Sequence, residues 1–262
     1  MNKAAPTQTV PALEMRGVAV NSIRTPHLVT VAAADWTVAP GDFWVIGGLH
    51  GSGKGDLLML AAGMMAPASG EFFLFGNAMP IFSGERLGQR LRAGLVFEGG
   101  NLLNHLTVAE NIALPLRYHR DLPEAAAQAE VRELLDLTGL ADWADSTPGA
   151  IPLDWRKRAG LARALILRPE VLLLDNPLAG LDGRQGAWWL NFLGELSHGL
   201  DWMKGRPVTL AATTLDFRPW RNCARQFAVL KDKKLVVIGS WAQLEAAGDE
   251  LVRELAATHS NL

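Results

Sequence analysis

The residues with the most chemistry to offer lie between Gly48 and Asp56, where Gly48, Gly51, Gly53 and Lys54 match the spacing G-x-x-x-x-G-K, with Ser52 inside it. In that pattern small residues let successive backbone N–H groups curl around phosphate oxygens, while the lysine adds a point charge. Two positions depart from it. The pattern ends in Ser or Thr, whose hydroxyl ligates Mg²⁺, and this chain has Gly55, which offers a metal nothing. Asp56 then puts a carboxylate in the first turn of the following helix, near the phosphate positions. A unit like-charge pair about 4 Å apart costs roughly 4 kcal/mol at an effective dielectric near 20. The same carboxylate would satisfy orphan N–H groups and the helix dipole, so the loop reads either as built to stand empty or as a weak, metal-independent nucleotide site. A second chemical position is Asp175, which closes the apolar run Val171-Leu172-Leu173-Leu174. A carboxylate at the C-terminal end of a buried parallel strand, in a chain with a phosphate loop, occupies the place of a second metal-site residue. Without the hydroxyl at position 55 it is a weak metal ligand at most.

The elements that position these residues follow from pattern. Strands are expected over 13–20 and 28–38, closed by a turn at 39–42, and strand 43–46 enters the loop. A helix is expected from Lys54 to about Met65, a strand from Glu71, and another over 91–97. An amphipathic helix runs from Pro123 and Glu124 to Leu137, stopped at Gly139. Further helices are expected over 156–167 and 185–200, a core strand over 207–213, a hairpin of 227–230 with 235–238 around Lys231 to Lys234, and a helical end from Trp241. The nine tryptophans, Trp188 and Trp189 included, read as core or subdomain-interface residues. His50, His105, His119 and His198 have no metal-ligand spacing and read as ordinary surface or loop residues.

A chain of 262 residues with 49% hydrophobic residues suffices for one large domain or two small ones. Its net charge of −2, with no long basic run, argues against nucleic acid as a partner. The single cysteine, Cys223, excludes an internal disulfide framework and suits a reducing cytoplasm. Residues 1–11 carry no apolar core of signal-peptide length and read as a flexible lead. The uncharged run over 57–70 is too short and too broken to span a bilayer, so no direct membrane insertion is expected.

With the phosphate loop, Leu161-Ala162-Arg163-Ala164-Leu165, Val171 to Pro177 and Ala179-Gly180-Leu181-Asp182 in this order, the chain resembles the ATPase subunits of ABC transporters from about residue 12 to 240. More narrowly, stretches 106–117, 118–123 and 232–236 resemble the ATPase subunits of MCE/Mla-type lipid transporters. The resemblance implies an α/β fold: a RecA-like core with an antiparallel β subdomain over 12–98 and 156–240, an inserted helical subdomain over 99–155, and a C-terminal helical extension over 241–262. It also implies a homodimer or heterodimer closing head-to-tail over ATP, a membrane permease as partner, and a cytoplasmic location peripheral to the inner membrane.

Carried over position by position, the resemblance implies lost chemistry. The magnesium hydroxyl is Gly55 and the γ-phosphate-sensing glutamine is Glu98. The water-polarising carboxylate is Asn176, and the switch histidine is Leu215. The signature Leu-Ser-Gly-Gly-Gln falls on Ile151-Pro152-Leu153-Asp154-Trp155, and the adenine-stacking aromatic falls near Val20. Lys54, Asp175 and Asp182 remain. The implied protein is a pseudo-ATPase with no catalytic residue in its usual place. ATP would be bound weakly or not at all, by Gly48, Gly51, Ser52, Gly53, Lys54, Gly55 and Asp56, and Mg²⁺ would not be held. The alternatives are a working ATPase that powers lipid transport and a soluble regulator that kept only the fold.

Overall fold

The computed structural model describes residues 10–79, 86–120 and 122–257. Most of the lead expected over 1–11, and the last residues of the extension expected over 241–262, lie outside the described residues. Ten strands join in one sheet: β1 (Leu13–Asn21), β2 (Val29–Val38), β3 (Phe43–Gly47), β4 (Ser69–Leu74), β5 (Asn77–Ala78), β6 (Ala93–Val96), β7 (Val171–Leu174), β8 (Thr209–Thr214), β9 (Gln226–Lys231) and β10 (Lys234–Gly239). Their spatial order is β5-β4-β1-β2-β10-β9-β3-β8-β7-β6. The half from β9 to β6 is parallel. In the other half β1 pairs antiparallel with β2 and β4, and a single parallel pairing of Lys234 with Ala33 joins β10 to β2.

Side chains alternate across a strand, so the central strands feed two cores. Phe43, Val45, Leu172 and Leu174 face a core completed by helices, with Trp189, Phe192 and Leu196 buried in it. Trp44, Ile46, Val171 and Leu173 face the antiparallel strands and α1 (Lys54–Ala61). The remaining helices are α2 (Leu87–Arg90), α3 (Val108–His119), α4 (Glu124–Thr138), α5 (Leu153–Leu165), α6 (Gly183–His198), α7 (Trp241–Glu245) and α8 (Glu250–Ala256). No helix among the described residues is long and apolar enough to cross a membrane.

Several boundaries differ from those expected, each for a local reason. Helix α1 stops at Ala61 rather than Met65, because Gly63 takes a left-handed conformation with φ 69°. The strand expected over 91–97 shortens to β6, since α2 occupies the residues before it and Leu91 caps that helix. Helix α5 starts before Arg156, at Leu153, with Pro152 at its N-cap. Helix α6 runs from Gly183 because the Asp182 carboxylate accepts the Gln185 N–H at 2.8 Å, and it ends at Gly199 with φ 102°. The expected helical end consists of the two short helices α7 and α8. None of the nine tryptophans is fully exposed. At the hairpin tip Asp232, Lys233 and Lys234 are exposed, while Lys231 is half-buried and pairs with Asp249 at the start of α8, and the Lys233 carbonyl accepts the Ala32 N–H at 2.7 Å.

Candidate nucleotide site

β3 delivers its chain at the C-terminal edge of the parallel sheet, and the glycine-rich loop turns there into α1. Gly53 caps the helix with φ 99°, and a side chain there would run into Thr30 of β2, with 2.8 Å from the added Cβ to the Thr30 Cβ. Only glycine meets both demands. The loop opens on a cavity of about 590 Å³ lined by Gly51, Ser52, Lys54, Gly55, Asp56, Glu98, Asp175, Asn176 and Leu215 among others. Gly48 is buried at the loop's entry. The structure thus brings the expected phosphate-loop, strand-end and switch positions around one space.

Lys54 is buried and folds back on its own loop. Its Nζ donates to the Gly48 carbonyl at 2.6 Å, the Leu49 carbonyl at 2.8 Å and Ser52 Oγ at 3.4 Å. Burial pushes the ammonium down to about 8, with Asp175 and Glu98 opposing the shift. Asp175 follows β7; its Oδ1 accepts the Thr213 hydroxyl at 2.9 Å, while burial, aided by Glu98 and Asp56, raises its pKa. A Cβ built on Gly55 would lie 3.1 Å from Asp175 Oδ2, so position 55 faces the strand-end carboxylate and brings no oxygen to it.

Asn176 sits in the left-handed region at φ 43°, its N–H given to Thr213 Oγ1 at 2.9 Å. Its amide Nδ2 donates to Glu98 Oε1 at 3.3 Å, joining the ends of β6 and β7 across the cavity. Asp56 does not stand free at the phosphate positions. Its Oδ1 accepts the Ile23 N–H at 3.1 Å, and no side-chain bond caps α1. Val20, near which the resemblance places the family's adenine-stacking aromatic, is wholly buried in β1. The register of β1 turns it inward, and the cavity rim there is formed by Ser22, Ile23, Arg24 and Leu28. Leu215 lines the cavity and is 44% exposed.

The segment 151–155 is away from this cavity. Ile151 is buried, Pro152 lacks an N–H, and Asp154 lies in the first turn of α5. Trp155 packs on Trp143 at a centroid distance of 6.0 Å and beneath the Arg158 guanidinium.

Residues that the sequence did not mark hold the site's surroundings. Lys157 is 2% exposed, with its Nζ donating to the Pro177 carbonyl at 3.2 Å and the Ala179 carbonyl at 2.5 Å, so α5 grips the loop after Asn176. Arg163 donates to the carbonyls of Gly100 at 2.9 Å and Asn101 at 2.8 Å. The buried Asn111 side chain bonds Leu103 through both its oxygen and its amide, and also reaches the Leu106 and Thr107 carbonyls. A basic or amide residue on a helix signals none of these long-range pairings by itself.

The ABC transporter family matches over residues 31–179. The intermembrane phospholipid transport system ATP-binding protein MlaF of Escherichia coli K12 is 33% identical over 219 residues, 83% of this chain and 79% of that one. A probable sulfate/thiosulfate import ATP-binding protein CysA of Chlorella vulgaris is 35% identical over 75% of this chain and 79% of its own length. In fold, the chain is similar to the ATP-binding cassette MJ0796, solved as a dimer in a post-hydrolysis state with ADP and Pi. The TM-score is 0.75 at 24% identity, covering 85% of this chain and 96% of that one. A phosphate loop at the edge of a parallel sheet, the strand-end aspartate beside it and these matches agree: the chain belongs to the ABC transporter family as an ATP-binding subunit.

Proposed function

We propose that this chain is the nucleotide-binding subunit of a membrane lipid-transport complex of the MlaF kind, acting as a structural and nucleotide-sensing part with impaired ATP hydrolysis. The observation that carries this reading is the Asn176–Glu98 hydrogen bond. The residue after the strand-end aspartate is an amide already committed to a carboxylate, and an amide cannot take a proton from water at ordinary pH. Gly55 supports the same reading, since Mg²⁺ demands tight octahedral oxygen geometry and one of the family's two protein ligands is missing. The residues present do not fit that ion. Nucleotide binding is therefore weak and nearly indifferent to Mg²⁺, carried by Lys54 and the loop amides.

The partner is a membrane permease, which keeps the chain at the inner-membrane surface. Its docking surface is the stretch 101–107 beside Glu98, at the border of a RecA-like core and the helical segment holding α3 and α4. That stretch is held by Arg163 on one side and Asn111 on the other, as a rigid docking surface needs. Lys54 and Asp175, still facing one cavity, favour the competing reading of a working ATPase.

The test is turnover by the purified protein, together with crosslinking from cysteines introduced at 101–107 in the native host. The proposal expects no turnover above background and a membrane protein among the crosslinked products. Steady turnover near about 1 s⁻¹, abolished by Lys54→Ala, would establish the working enzyme instead.

A further inference from the structure

The cavity has two chemically different ends. At one, Ile23 and Leu28 are each 49% exposed beside Arg24, forming an apolar rim that suits a nucleoside. At the other, beyond Lys54, stand Glu98, Asp175 and Asn176. A nucleotide with its base on the rim and its phosphates at the loop amides and Lys54 would bring each added phosphate toward Glu98 and Asp175, whose charges act on the Lys54 ammonium. The lining side chains include two cations, Arg24 and Lys54, against three carboxylates, Asp56, Glu98 and Asp175.

The three carboxylates are not equally engaged. Asp56 takes the Ile23 N–H and Asp175 takes the Thr213 hydroxyl. Glu98 receives only the long contact from the Asn176 amide and is exposed to the cavity. No hydroxyl at position 55 helps to seat a cation between it and a phosphate.

We propose, resting on the nucleotide-binding reading above, that the site prefers a nucleoside diphosphate to the triphosphate and that Glu98 is the residue that discriminates. A diphosphate ends at the loop amides and Lys54, leaving the Asn176–Glu98 bond intact. A third phosphate must break that bond and lie between two carboxylates without a neutralising ion. A conventional cassette arms itself with ATP, whereas this one would rest in a diphosphate-bound form.

The experiment is calorimetric titration of the full chain with ADP and with ATP, in EDTA and then in Mg²⁺, for the wild type and for Glu98→Gln. Glutamine keeps the shape and the pairing with Asn176 and removes the charge. The expected result in EDTA is ADP bound about fivefold or more tighter than ATP. Glu98→Gln should close that gap to within about twofold by strengthening ATP while leaving ADP unchanged. Equal or tighter binding of ATP by the wild type in EDTA, or a gap that Glu98→Gln does not move, overturns the inference and leaves the nucleotide-binding reading standing. A preference that reverses to ATP in Mg²⁺ overturns it as well, since the carboxylates would then be recruiting the ion. Binding of neither nucleotide by protein with a cooperative melting transition overturns both.

Discussion

Phosphate and the loop's own carbonyls compete for one ammonium, that of Lys54. The residue needs its proton to hold an anion, yet burial brings its titration down to about 8. Anion affinity should therefore fall as pH rises through about 8, and Lys54→Ala should weaken binding and flatten the profile, both read by titrating pyrophosphate from pH 6.5 to 9.5. The effect on stability runs the other way. Between about 8 and 10.5 the folded chain has released this proton while the unfolded chain still holds it, so this lysine's burial penalty is present below the window and relieved across it. Asp56 yields a second prediction, sharpened by its partner. Because it holds the Ile23 N–H, Asp56→Asn removes the charge and keeps the acceptor, whereas Asp56→Thr changes both. Asp56→Asn should tighten pyrophosphate binding by roughly threefold to thirtyfold, as expected of one screened like charge, with no loss of melting temperature. Unchanged affinity would mean that the carboxylate lies outside the reach of the phosphates.

Helix α5 is placed by glycine as much as by its apolar face. A Cβ on Gly160 would lie 2.7 Å from the Gly100 Cα, so the helix backbone rides directly on the loop after Glu98. Gly160→Ala improves helix propensity by about 1 kcal/mol yet overpacks this contact at a cost of about 1–3 kcal/mol, so the second effect should win and leave up to about 2 kcal/mol of net destabilisation. Chemical denaturation against the wild type checks it; a stabilised Gly160→Ala variant would show that the loop yields freely. The same contact shows what the sequence could and could not disclose. The apolar run 171–174 and the glycine loop were legible because their signals are local: hydrophobic runs and residue types within a turn. The Gly160–Gly100 approach, the reach of Asp56 back to Ile23 and the Asn176–Glu98 bond depend on segments brought together by the sheet order, which no local period encodes. The burial of Val20 was not legible for a related reason. The cavity rim begins two residues further on, at Ser22, and the strand's irregular register near Val20 is a property of its pairing with β2.

At the scale of the assembly, each hydrolysis site in this family is composite, with the phosphate loop and strand-end residues from one chain and the signature segment from the other. Asymmetric pairs stay active by concentrating their defects in a single site. On the proposed reading this chain would spread them over two surfaces: Gly55, Asn176 and Leu215 line the cavity that it anchors, while Pro152 and Asp154 open α5 away from that cavity. If 151–155 takes the place of the signature, as the resemblance implies, Pro152 would give no N–H to a phosphate and Asp154 would add a negative charge where the family offers small neutral residues. A homodimer should thus be inactive at both sites, and a heterodimer with a conventional subunit inactive or very slow. The double change Gly55→Ser and Asn176→Glu tests whether the two surfaces matter separately. Position 55 has room for the serine if Asp175 gives a few tenths of an ångström, so the repaired chain should fold and bind nucleotide in a newly Mg²⁺-dependent way. Its homodimer should still turn over little, because the signature surface is unchanged. Replacing 151–155 with Leu-Ser-Gly-Gly-Gln in the repaired chain should then raise turnover by at least about tenfold. If the double change alone gives full turnover in phosphate-release assays, the segment 151–155 does not limit hydrolysis, and the defect belongs to the phosphate cavity alone.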